Sequence, residues 1–201
     1  MSDPGKHPET KVSSETRDER AALWDGVRYC LKVFISVRVG LFLLGLLAVA
    51  LLPANDAPSV PGWNPSDLTP GWHNLFTAWE RWDALWFLRI ATDGYAAADG
   101  SAAFFPLYPL LVRGLSTVLG GHPLAAALIV SNLSYAGGLI VVYLLTAHEW
   151  TRDTARRTVL YMALFPTAFF FVAPYSESLF LFLSVSCLYA ARRERWLLAA
   201  V

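Results

Sequence analysis

From Val33 to Leu52 the chain carries only two polar side chains, Ser36 and Arg38. A helix of roughly 20 such residues matches the hydrocarbon core of a bilayer, where only helices and closed barrels satisfy their own backbone groups. That run places the chain in a membrane before anything else is read. Leu124–Ala147 is a second long run. Thr158–Ala173 and Tyr175–Ala191 are shorter, and would stand steeply or extend slightly past these limits. Hydrophobic residues make up 55% of the chain and charged ones 16%, against about a quarter charged in soluble domains. The expectation is an all-α membrane protein. A cleaved signal peptide is the competing reading of the first run. The long charged segment before it and the lack of an A-x-A site argue against that. Acidic and basic residues balance, so there is no basic field for nucleic acid. The positions of Cys30 and Cys187 do not suggest a disulfide, and no cysteine spacing suits a metal.

Residues 1–32 are polar and charged. They read as a disordered cytoplasmic tail entering an interfacial segment with Trp24, Tyr29 and Lys32. Pro53–Pro70 is rich in Pro, Gly and Asn and must be loop. In Trp72–Ala91, Trp79, Trp82, Trp86 and Ile90 recur at helical spacing, with Glu80, Asp83 and Arg89 on other faces. The segment is too polar to span and reads as an amphipathic helix in the interface. Phe104–Leu119 is apolar but short, and holds Pro106, Pro109 and Arg113. Charge decides its placement. If it stays on one side, the tail, His148–Arg157 and Arg192–Arg195 share the other side, with twelve of the 16 Lys and Arg residues. If it crosses, both arginine-rich loops move outside and the positive-inside rule fails twice. The expected organisation is therefore a tail, 1–32, and a membrane domain, 33–201. Its spans lie at about 33–52, 124–147, 158–173 and 175–191. Residues 53–123 form a large external loop containing interfacial helices, and a short second loop surrounds Pro174–Ser178. Trp196–Val201 reads as the start of a further span, as if the chain were part of something longer.

The outer side gathers the carboxylates Asp56, Asp67, Glu80, Asp83, Asp93, Asp99 and Glu177. An aromatic frame can raise a carboxylate's pKa by desolvation and fit it for general-base work. Tyr and Trp faces suit sugar rings and prenyl chains. Plainer readings stand beside these. Asp83 can cap a helix beginning at Ala84. Arg81 and Arg89 can be interfacial anchors, and the Trp stripe a membrane belt. Glu177 can be a first-turn carboxylate favoured by the helix dipole, with Ser176 or Ser178 assisting the cap. Asn132 and Ser131 can be polar glue between helices. A divalent cation between Asp83 and Glu80 or Asp93 is compatible with the sequence, but a hard-cation site takes more oxygen ligands than these supply. No metal ligand is assigned.

Arg81-Trp-Asp-Ala-Leu-Trp-Phe-Leu-Arg-Ile-Ala-Thr-Asp-Gly-Tyr95 and the following Ala103-Phe-Phe-Pro-Leu-Tyr-Pro109 resemble the first external loop of PIG-V-type mannosyltransferases. These are the second mannosyltransferases of GPI-anchor synthesis, together with bacterial relatives. Ala163-Leu-Phe-Pro-Thr-Ala-Phe-Phe-Phe171, Ala173-Pro-Tyr-Ser-Glu-Ser-Leu-Phe180 and Asn132-Leu133 fit later segments of the same family. The resemblance covers most of residues 33–201. It implies a GT-C-type multi-span helical bundle with its active site on the external face. It also implies a polyprenyl- or dolichyl-phosphate-mannose donor and a lipid or glycolipid acceptor. The acid after Trp in the external loop is the catalytic position in such enzymes, here Asp83. Arg81, Trp82, Arg89, Asp93, Tyr95, Tyr108, Tyr175 and Glu177 are the substrate-binding candidates that go with it.

The implied chemistry is an inverting sugar transfer. Asp83 takes the acceptor's proton, Arg81 or Arg89 stabilises the departing phosphate, and Tyr175 and Glu177 orient hydroxyls. The expected location is the plasma membrane in a bacterium or the endoplasmic reticulum in a eukaryote, as a multi-pass protein. One rival is a same-fold transferase moving another sugar. The other is a transporter or a non-catalytic subunit. A transporter buries ionisable groups near the midplane of its spans, whereas these carboxylates gather in a loop.

Overall fold

A computed structural model describes residues 8–51, 79–97 and 99–200. The expected loop Pro53–Pro70 and the start of Trp72–Ala91 lie outside the described residues. Every regular element among those described is helical. Helix α1 (Pro8–Leu51) begins with a proline, whose fixed φ suits a first turn. It continues through residues 8–32, where the sequence predicts a disordered tail. No proline interrupts that stretch, and Glu, Lys, Arg, Ala and Leu favour helix along it. A short helix, α2 (Asp83–Asp93), follows. After the 3₁₀ turn Ser101–Ala103 comes α3 (Leu107–Val118). Its 12 residues span about 18 Å, short of the ~30 Å hydrocarbon core.

Helix α4 (Pro123–Glu149) has its proline in the first turn. Together with Arg20–Leu51 of α1 it is long and apolar enough to cross a membrane, and among the described residues these are the two such helices. Helix α5 (Arg152–Leu164) is capped by the Thr151 hydroxyl, which accepts from Thr154 N at 3.1 Å. The run expected as a span over Thr158–Ala173 is α-helical only to Leu164. Pro166 disfavours helix at Phe165 and supplies no N–H, so the chain continues as the 3₁₀ helix Pro166–Phe171. Helices α6 (Glu177–Arg192) and α7 (Trp196–Ala199) complete the described chain.

Side-chain contacts fix the directions. Cys30 lies on the Leu139 carbonyl and Phe34 on Tyr135, so α1 runs antiparallel to α4. Ser131 meets Tyr175 while Glu149 pairs with Arg192, so α4 and α6 run parallel. Small residues let them close: a Cβ on Gly137 would stand 2.9 Å from the Phe182 ring. The break after α5 leaves the Val172 carbonyl outside any helix ladder, and two side chains reach it. Asn132 Nδ2 lies at 3.3 Å and Arg38 Nη1 at 3.4 Å. Arg38 thus turns inward, with its guanidinium 5.4 Å from the centre of the Trp79 ring. Arg28, Arg152–Arg157 and Arg192–Arg195 lie at one end of the bundle. Asp83, Tyr175 and Glu177 lie at the other.

Candidate active site

Asp83 is the first residue of α2, not the cap of a helix starting at Ala84. The N-cap is Trp82, at φ 48 and ψ −123. These are the angles of the first central residue of a type II′ turn, a place that glycine favours. The Ala84 amide closes that turn on the Arg81 carbonyl at 3.1 Å. A tryptophan held there carries strain of about 1–3 kcal/mol. It also explains why the expected Trp79–Trp82–Trp86–Ile90 stripe is not one helical face: the helix cannot extend back through Trp82. Asp83 and Trp82 are left exposed, Trp82 at 69%. Behind them Ala84, Leu85, Phe87, Leu88, Ile90 and Ala91 are buried. Within the chain, α2 is therefore a packed helix, where the sequence suggests one lying in the interface.

The Tyr175 hydroxyl donates to the same Arg81 carbonyl at 2.9 Å. The Tyr175 carbonyl accepts from the Ser131 hydroxyl at 3.0 Å. Tyr108 meets Ser131 Oγ at 2.7 Å and the Ala127 carbonyl at 3.2 Å. Tyr108 and Tyr175, both candidates for touching substrate, are 2% and 3% exposed, and their hydroxyls are engaged within the protein. Two residues past Tyr175, Glu177 opens α6 with an exposed side chain. The Asp83 and Glu177 carboxylates are near enough for their charges to act on Tyr175 together. Among the described residues, Asp83 has no ion-pair partner. No group of three or more His, Cys, Asp or Glu converges on a metal-sized site among them. Glu80 is half-buried, and that burial pushes its carboxyl up from the ordinary range, with Arg81 opposing the shift.

The far end of α2 is different. Arg89 is 8% exposed and pairs through Nη2 with Asp99. Its guanidinium lies 5.5 Å from the centre of the Trp86 ring, while Nε and Nη1 have no partner. Asp99 Oδ1 accepts from Ser101 N at 2.8 Å, and Ser101 Oγ bridges to both the amide and the carbonyl of Ala96. The Ser101 hydroxyl and amide, and then Arg89, hold the Asp99 carboxyl below its ordinary value. Arg89 is thus matched to Asp99 and does not face Asp83. Asp93 is exposed at the end of α2, and Tyr95 donates to the Phe104 carbonyl at 2.9 Å. Asp83 and Asp93 are the first and last of the helix's 11 residues, which sets them about 15 Å apart along its axis.

Of the candidates, Arg81, Trp82, Asp83, Tyr175 and Glu177 come together. Arg89, Asp93 and Tyr95 stand apart, and Tyr108 lies beneath. Sequence reasoning missed Asp99 as the partner of Arg89, although Asp99-Gly-Ser101 is a recognisable turn signal. It also gave Ser131 no part in the site, and no local pattern marks it. A groove of about 520 Å³ lies between α1, α5 and the 3₁₀ helix, lined by residues such as Val37, Leu41, Leu160 and Phe169, and none of the candidate site residues lines it.

The described chain is therefore a helical protein with two membrane-crossing candidates and an acidic, aromatic-framed corner at one end. The model of the Mannosyltransferase (PIG-V) family matches residues 27–199, and the chain belongs to that family. It is also similar to a protein of Drosophila pseudoobscura pseudoobscura called GPI mannosyltransferase 2. The two are 30% identical over 123 residues, 56% of this chain and 27% of the relative. The chain thus spans about a quarter of that relative's length. No solved structure matches.

Proposed function

We propose that this chain carries the acidic site of a glycosyltransferase that moves mannose from a polyprenyl- or dolichyl-phosphate carrier to a lipid or glycolipid acceptor. The observation that carries the reading is Asp83: an exposed carboxylate on a strained turn, without an ion partner among the described residues, within the family match. Asp83 accepts the proton of the acceptor hydroxyl. The acceptor oxygen forms its bond to the anomeric carbon while the bond from that carbon to the phosphate oxygen breaks. The phosphate leaves with the electron pair and the anomeric configuration inverts. Arg81 is the cation adjoining the base, and it meets the charge that grows on the phosphate. That role passes from Arg89, which is matched to Asp99. Glu177 orients a hydroxyl beside Asp83, and the exposed Trp82 face packs on the sugar or the prenyl chain.

The whole enzyme is a multi-pass membrane protein of the GT-C type, with Asp83 on the external face of a bacterial plasma membrane or the lumenal face of the endoplasmic reticulum. The gathering of arginines at the opposite end of the bundle supports that orientation. The test is transfer in membranes containing the full-length protein. Polyprenyl-phosphate-mannose and polyprenyl-phosphate-glucose, each radiolabelled, are offered separately. Label should move from the mannosyl donor only, and only with Asp83 intact. Equal transfer by Asp83→Asn removes Asp83 as the base, and transfer from the glucosyl donor alone replaces mannose.

A further inference from the structure

We propose that Ser131, inside α4, is a positioning residue for Asp83, acting through Tyr175 on the turn at Trp82. This rests on the reading of Asp83 as the base. Ser131 is 0% exposed, so its one proton must find a partner within the protein. The Tyr175 carbonyl, at 3.0 Å, takes it. With that proton committed, Ser131 Oγ is the acceptor in its 2.7 Å contact with Tyr108. Tyr108 is then the donor, and the Ala127 carbonyl at 3.2 Å is its longer second acceptor. The donors run one way: Tyr108 to Ser131, Ser131 to the Tyr175 carbonyl, and the Tyr175 hydroxyl to the Arg81 carbonyl.

The last link lands on the residue before Trp82. A tryptophan at φ 48 persists only where its surroundings over-determine it. Two donors fix the Arg81 carbonyl: the Ala84 amide, which belongs to the turn itself, and the Tyr175 hydroxyl, which comes from outside. Without Tyr175 the Arg81 carbonyl keeps, among the described residues, just the turn's own closing bond. Trp82 can then relax toward ordinary φ and rotate Asp83 away. The same Ser131 bond anchors the backbone two residues before Glu177, so one buried hydroxyl sets both carboxylates. A serine that merely glues α4 to its neighbour would affect the packing of those helices, not the turn.

The test uses full-length protein in lipid nanodiscs. Hydrogen exchange at the Ala84 amide and mannose transfer from polyprenyl-phosphate-mannose are measured for Ser131→Ala, Tyr175→Phe and the double variant. Ala84 exchange should speed up about tenfold in each single variant, as loss of one buried hydrogen bond implies, while amides in the middle of α4 and α6 keep their protection. Turnover should fall about ten- to a hundredfold with an unchanged KM for the donor. The double variant should be no worse than the poorer single one, because both changes cut one chain. Unchanged exchange at Ala84, faster exchange with unchanged turnover, or general loss of protection along α4 and α6 overturns the proposal. The exchange needs no donor. If no form transfers mannose, the functional reading falls, and Ala84 exchange alone decides whether Ser131 holds the turn.

Discussion

The two ends of α2 carry the same kinds of residue and set them in opposite surroundings. At the N-terminal end, Asp83 is exposed, follows a strained tryptophan and has no ion-pair partner among the described residues. At the C-terminal end, Arg89 is buried against Trp86, paired with Asp99 and backed by Ser101. A buried charge needs a partner and hydrogen bonds to be tolerated, and once matched it has little left to offer a substrate. A carboxylate that is to move a proton must stay reachable. The helix between the two ends is mostly apolar and buried, which keeps them apart.

The largest expected effect of breaking this contrast is on activity. Asp83→Asn should lower mannose transfer by about 10²- to 10⁴-fold, the usual worth of a positioned general base, and leave the melting temperature within about a degree. At the other end stability should respond first. Asp99→Asn strands the Arg89 charge among buried groups and should lower the melting temperature clearly. Joint replacement by Arg89→Met and Asp99→Leu should cost less than Asp99→Asn alone, since an apolar pair leaves no buried charge unmatched. Thermal unfolding in detergent reads all three forms. A smaller effect comes from Trp82→Gly. Relief of the left-handed strain should stabilise the protein by up to about 1 kcal/mol, while loss of the exposed indole should raise the KM for the donor.

The smallest effect is on pH dependence, with opposite signs at the two ends. The folded Asp99 carboxyl lies below its ordinary value of 3.8. Its stabilising contribution is full above that value and is lost as pH falls through the lower, folded one. Asp99→Asn should flatten this acid limb in a plot of melting temperature against pH. Glu80 is raised above 4.5 by burial. Its contribution is present below that value and is lost as pH rises through the folded one, so Glu80→Gln should flatten a slope on that side.

The helical class and the two long runs were legible because hydrophobic length alone decides them: the described part of the first run, Val33–Leu51, and Leu124–Ala147 fall within α1 and α4. The start of α1 was not, because charged residues suit a disordered tail and an exposed helix equally. The break at Pro166 was written in the chain, but apolar character outweighed it in the reading of Thr158–Ala173. At the site, Asp83 stood out through its aromatic neighbours and the family resemblance. The split between Arg81 and Arg89 did not, since local spacing cannot say which arginine meets Asp99. Ser131 was hidden for a related reason. It is 44 residues from Tyr175 in sequence, and a single serine in an apolar run has no local signature.

The most direct measurement is turnover per folded molecule of the full-length protein, with Asp83→Asn and Asp99→Asn assayed side by side at a temperature where both are folded. The expected result is near-complete loss in Asp83→Asn and close to normal turnover in Asp99→Asn. Equal loss in the two, or retained turnover in Asp83→Asn, would contradict the division of α2 into a chemical end and a structural end.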